Sequence, residues 1–165
     1  MAIARSRLRA EDAGEAAEAL RGTLERTRRA SERHLMVRCL EGLAEIALGS
    51  GDAEACGKCG DELLEIAVHN GLSEMEATAR RWRGEALLAR KSYAEAEQEL
   101  RRAASAAEVI GRVRLQMDVE SALARLSRAQ GRSDAPHAAK SRAIAENIRL
   151  SVAASGLKPR LEPLG

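Results

Sequence analysis

Aromatic side chains are almost missing from this chain, which has one Trp, one Tyr and no Phe in 165 residues. That scarcity argues against a surface for single-stranded nucleic acid, which needs exposed rings on which bases stack. It also disfavours sheets, because strands draw on aromatic and β-branched residues. Proline occurs only three times, so long helices can run uninterrupted. No apolar run approaches the roughly 18 residues that a membrane span needs. The start, Met1-Ala2-Ile3-Ala4-Arg5, lacks the long apolar stretch of a signal peptide. Three cysteines, an odd number, suit a reducing compartment better than a disulfide scaffold. The expected location is therefore the cytosol, with no membrane partner.

What is abundant points one way. The chain contains 33 Ala and 20 Leu, two of the best helix formers. Its length suits a single domain, and 45% hydrophobic with 32% charged residues describes neither a disordered tail nor a membrane protein. An all-α fold follows, with a core of small and branched aliphatic side chains.

Hydrophobic spacing marks seven helices. They run from about Ala13 to Arg29, His34 to Leu48, Asp52 to His69, Ser73 to Arg90, Tyr93 to Ile110, Arg114 to Gln130 and Pro136 to Ala154. Gly49-Ser50-Gly51 breaks the second helix, and Asp52 is placed to cap the third. Ser73 with Glu76 three positions on reads as a capping box for the fourth. Gly111 and Gly131 stop the fifth and sixth. Residues 1–12 form an N-terminal segment, 13–155 the helical domain and 156–165 a tail.

The chain also matches itself. Gly42 falls on Gly84, Asp52-Ala53-Glu54-Ala55 falls on Tyr93-Ala94-Glu95-Ala96, and Ala124 follows Gly84 at a similar interval. Each unit is a helical hairpin whose apolar face can be buried only by stacking on the next copy. Three hairpins and one leading helix account for the seven.

The stretch Trp82-Arg83-Gly84-Glu85-Ala86-Leu87-Leu88 through Ser92-Tyr93-Ala94-Glu95-Ala96 to Leu100 and Ala103 resembles a tetratricopeptide repeat. It has the family's mid-helix Gly, turn Tyr, following Ala, bulky apolar residue four positions later and final Ala. The period of about 40–42 is similar to the long variety found in bacterial signalling regulators. Resemblance spans about residues 33–155, with Arg80 at the family's usual Trp position and no Pro at the repeat ends. It implies a right-handed α-solenoid of antiparallel helical hairpins. Its groove would be lined by the first helix of each hairpin: Cys39, Leu43 and Ile46, then Arg81, Glu85 and Leu88, then Ser121, Arg125 and Arg128. Leu43, Ile46 and Leu88 have a competing place in the hairpin core. The Lys/Asn clamp with which some relatives hold a C-terminal carboxylate has no counterpart here.

Catalytic chemistry finds little purchase. Cys56-Gly57-Lys58-Cys59 is a lone CxxC, with Cys39 upstream and His69 downstream. On one helix Cys59 and His69 stand roughly 15 Å apart, too far for one metal. Packing is the favoured role of the cysteines, with a redox or metal site as the alternative. His34, His69 and His137 fall in different hairpins, and no phosphate-binding glycine loop is visible. No enzyme activity, metal or cofactor is expected.

Charge is unevenly spread: net −5 over residues 36–72 and net +5 over 112–165. Such asymmetry steers partners or head-to-tail association. The expected function is a non-enzymatic module that binds a peptide or protein segment in a concave groove, alone or as the sensor or assembly arm of a larger bacterial regulator. A homodimer through the leading helix or the array end is a further option. Nucleic-acid or polyanion binding through the basic C-terminal third is the alternative, ranked behind because acidic residues interrupt every basic cluster.

Overall fold

The computed structural model describes residues 2–154, with side chains over residues 12–151. Seven helices follow one another: α1 (Ala2–Ala30), α2 (Arg33–Ser50), α3 (Ala53–Asn70), α4 (Ser73–Ala89), α5 (Tyr93–Val109), α6 (Val113–Ala129) and α7 (Ala135–Ala154). No strand occurs among the described residues. α1 starts well before the expected Ala13. Residues 2–12 lack a strong apolar stripe, but Ala, Arg, Leu and Glu supply helix propensity and no Gly or Pro interrupts them. The expected tail, 156–165, lies outside the described residues.

The turns set the frame. Left-handed backbone recurs at a constant interval, at Ser31, Gly51, Gly71, Lys91, Gly111 and Gly131. At every one the following amide reaches back to the helix it leaves, from Glu32 to the Thr27 carbonyl, Asp52 to Ala47, Leu72 to Ala67, Ser92 to Leu87, Arg112 to Ala107 and Arg132 to Ser127. This is the Schellman closure, and glycine meets its positive φ without a Cβ penalty at four of the six positions. One hairpin repeat therefore runs from Gly51 to Lys91 and the next from Lys91 to Gly131. In that frame the counterparts of Gly84 are Ala44 and Ala124 rather than Gly42. Asp52 does cap α3, its carboxylate accepting from the Ala55 amide at 2.9 Å. The expected capping box at Ser73 does not form: Leu72 occupies the cap position, and Glu76 instead accepts from Arg80 at 2.6 Å.

Short turns make consecutive helices antiparallel, and each packs against the next. Beyond these neighbours, only α2 with α4 and α4 with α6 approach closely among the described residues. The even-numbered helices thus lie nearer one another than the odd ones do. A two-layer array with that inequality curves, its even-numbered layer on the inside. Long side chains span parts of the outer layer, as where Arg28 of α1 reaches Glu62 of α3 at 2.6 Å.

Alanine lets the helices come close. Ala44, Ala77, Ala79, Ala96, Ala103, Ala107 and Ala122 are fully buried. Gly84 has the same role in sharper form: a Cβ there would stand 2.6 Å from Leu100 Cγ. The core divides into one cluster over α1–α4 around Leu40, Leu63 and Trp82, and a second over α5 and α6 around Leu100, Val119 and Leu126. Trp82 belongs to the first and Tyr93 packs on the second.

Candidate binding groove

Two adjoining cavities open on the inner layer. The outer one, about 670 Å³, lies between α2, α4 and the α5–α6 turn and is lined by Arg38, Glu41, Glu45, Thr78, Arg81, Trp82, Arg112, Arg114 and Asp118. The inner one, about 500 Å³, shares Glu45, Arg81, Trp82, Arg114 and Asp118 and adds Leu48, Glu85 and Arg125. The shared residues join the two cavities into a single trough across three helices.

Helical spacing explains the gathering. Glu41, Glu45 and Leu48 on α2 stand one hairpin repeat before Arg81, Glu85 and Leu88 on α4, and a fixed repeat puts such sets on equivalent faces. The frame expected from sequence is shifted along α2. Cys39 and Leu43 consequently sit in the core, and Ile46 packs against it partly buried. Leu88 packs on the second cluster. Ser121 faces α7, with Ser141 Oγ at 2.9 Å. Arg128 pairs with Asp134 at 3.0 Å in the α6–α7 connection. Of the nine expected groove residues, Arg81, Glu85 and Arg125 are brought together around the trough. Glu41, Glu45, Trp82, Arg114 and Asp118 are not among the expected set; the regular recurrence of turn signals is what would have found the first two.

Most charges in the trough are already matched. Arg38 pairs with Glu41 at 3.4 Å and Arg114 with Asp118 at 3.6 Å. Arg125 donates to Glu85 across the gap between α6 and α4. Burial pushes the Glu41 carboxyl above the usual carboxylate range, against the opposing pull of Arg38. Glu45 and Arg81 stand apart, neither in an ion pair with another described residue. The Arg81 guanidinium lies over the Trp82 ring, 4.0 Å from its centroid, an arrangement that holds the cation flat while leaving its edge free.

The cysteines serve packing. Cys56 is fully buried, its Sγ donating to the Trp82 carbonyl at 3.7 Å. Burial pushes its thiol up to about 12 and raises that of Cys59 as well, the opposite of what a nucleophilic or redox thiol needs. Among the described residues no three His, Cys, Asp or Glu side chains are placed to hold a metal ion. No helix among them is long and apolar enough to cross a membrane.

No protein-family model, curated protein or solved structure matches this chain.

Proposed function

We propose that the chain is a non-enzymatic helical-repeat module of tetratricopeptide type that binds a protein segment in the trough of α2, α4 and α6. The observation that carries this reading is the contrast within the trough, where paired charges surround a free Arg81 and a free Glu45. A concave surface with a few unengaged polar groups among apolar ones is what orients a ligand. The trough crosses three helices, so an elongated segment fits it better than a compact metabolite. The same module would serve as the sensor or assembly arm of a larger bacterial regulator.

Ion pairing within the basic third weakens the polyanion alternative. Arg125, Arg128, Arg132 and Lys140 are each within ion-pair distance of a carboxylate of this chain, from Glu85, Asp134, Glu97 and Glu120 respectively. Charges already neutralised in this way contribute little to counterion release on a polyanion.

Peptides selected on the intact protein from a random display library test the proposal. Arg81→Glu should weaken the selected peptides at least tenfold. Lys58→Glu, on the outer layer, should leave them unchanged, and circular dichroism should report intact helices in both variants. Equal losses from the two variants, or a library that yields no binder, would overturn the groove. Arg125 is a poor handle for this purpose, because its reversal strands the buried Glu85 beside a second carboxylate.

A further inference from the structure

Consecutive helices are antiparallel, so the turns alternate between the two edges of the array. Those at Ser31, Gly71 and Gly111 lie on one edge, and those at Gly51, Lys91 and Gly131 on the other. The end of α7 returns to the first edge. Leu150 stands 19 residues after Gly131 and Val113 stands 18 before it, so at about 1.5 Å per residue the two are level. Among the described side chains six large apolar ones are exposed: Leu35, Val68, Leu72, Val109, Val113 and Leu150, from 40% at Leu72 to 85% at Val109. All six are on this first edge, each beside one of its three turns or at the end of α7. The opposite edge is polar, with Ser50, Asp52, Arg90, Ser92, Gln130 and Arg132 beside its turns. A single exposed Leu or Val needs no explanation; a full set gathered on one edge marks a contact surface.

Two features say what covers this edge. Its central charges are already matched within the chain: Glu74 and Arg112 join the two central turns at 2.5 Å, Arg114 pairs with Asp118 at 3.6 Å, and Glu108 lies 3.9 Å from Lys140. Within four positions of Gly71 and Gly111 there is no other Asp, Glu, Lys or Arg. An anionic lipid surface or a charged peptide would call for unpaired charges there. A neutral apolar face matches another neutral apolar face, and Arg29, Glu32 and Arg33 beside Ser31 fall at the rim, where charges stay in water. The second feature is symmetry, because the row of apolar residues reads the same from either end. Leu35 is followed by Val68 with Leu72, then by Val109 with Val113, and last by Leu150. A two-fold axis between the central turns sets Val68 and Leu72 against the partner's Val109 and the partner's Val113. A contact between identical copies demands this reciprocity, and an unrelated partner does not.

We propose that this edge is the interface of a two-fold homodimer, in which two copies meet turn to turn. Neither the leading helix nor the end of the array takes part as a unit; the contact runs across the turns of successive hairpins. The inference stands apart from the groove reading, since of the six apolar residues only Val113 also borders the trough.

Sedimentation equilibrium on the full-length protein should give a concentration-dependent mass that rises to twice the 17.8 kDa of the chain. Val109→Asp, at the most exposed of the six positions, should weaken self-association at least tenfold, because the contact would bury an unpaired charge. Val68→Lys should do the same. Arg90→Glu, on the polar edge, should leave association unchanged, and circular dichroism should report intact helices in all three variants. An equimolar mixture of Val68→Lys and Val109→Asp should associate at least fivefold more tightly than either variant alone, since the two-fold places the new charges opposite each other. A chain that stays monomeric up to about 1 mM overturns the proposal. So does a dimer that Val109→Asp leaves intact, which must use another face, and so does a mixture that recovers nothing. A monomer that instead sediments with phosphatidylcholine–phosphatidylserine vesicles assigns the edge to a lipid surface and overturns the dimer.

Discussion

The central hairpin, α4 with α5, and the C-terminal hairpin, α6 with α7, occupy the same repeat frame but are held together by different chemistry. At the crossing of the first, Gly84 makes room for Leu100, which is fully buried. The equivalent positions in the second are Ala124 and Lys140, and Lys140 is half exposed, its Nζ 2.9 Å from the buried Glu120. His137 Nδ1 lies 2.7 Å from the same carboxylate, and Ser121 meets Ser141 nearby. One seam is apolar and interlocked; the other is polar and reaches water. Among its described side chains α7 has none buried. The turns thus set the geometry of each hairpin, and the residues at the crossing set how firmly its second helix is attached.

The comparison breaks most visibly at Leu100. Leu100→Ala should lower unfolding free energy by about 3 kcal/mol, as truncation of a fully buried leucine does, while Lys140→Ala should cost under about 1 kcal/mol. Urea unfolding followed by circular dichroism reads both. Gly84→Ala should cost about 2 kcal/mol, because its new Cβ overlaps Leu100 and the seam must shift. Placed in the Leu100→Ala background, the same change should be close to neutral, since the space it needs is then open. A Gly84→Ala cost that is the same in both backgrounds would mean that the two residues do not set this crossing.

Much of this was readable from the chain. Alanine and leucine abundance, the scarcity of aromatics, and the glycines at 51, 71, 111 and 131 define seven helices and their stops. Asp52 was legible as a cap because capping is local. What failed was the frame between repeats. Gly42 looks like the partner of Gly84, yet its missing Cβ faces Leu20 of α1; identical residues serve different neighbours, and only the turns keep count. Ser31 and Lys91 adopt left-handed backbone without being glycine, so two of the six markers carry no sequence signal. The trough suffered from the same slip. Arg81 and Glu85 could be named from one helix, but Glu41 and Glu45 required the frame. That Arg125 is spent on Glu85, leaving Arg81 as the trough cation without an ion pair among the described residues, is a tertiary fact that no spacing encodes.

A moderate effect is expected at Glu120. It accepts from both His137 and Lys140 while itself buried, so Glu120→Ala removes the α7 contact that these two side chains share. Both side chains then turn to solvent, which keeps the cost to about 1 kcal/mol. Native-state hydrogen exchange localises it: amide protection in α7 should fall while α5 is unchanged. Equal loss in both helices would mean that α7 opens only with the whole array, contrary to its shallow burial.

The smallest effect distinguishes the two seams by pH. The hydrogen bond to Glu120 raises the Lys140 ammonium above its ordinary 10.5, outweighing the opposing effect of burial. The folded state therefore holds this proton more tightly than the unfolded chain does. Its contribution is complete below about pH 10.5 and is lost as pH rises through the elevated folded value. Leu100 has nothing to titrate, so the central seam is indifferent over the same interval. Above about pH 10.5, circular dichroism should show a partial loss of helix signal as the Lys140 proton leaves. Lys140→Met, which cannot titrate, should lack that step. If the variant loses the same helix signal over the same interval, the alkaline loss arises elsewhere and the Lys140–Glu120 contact does not fasten α7.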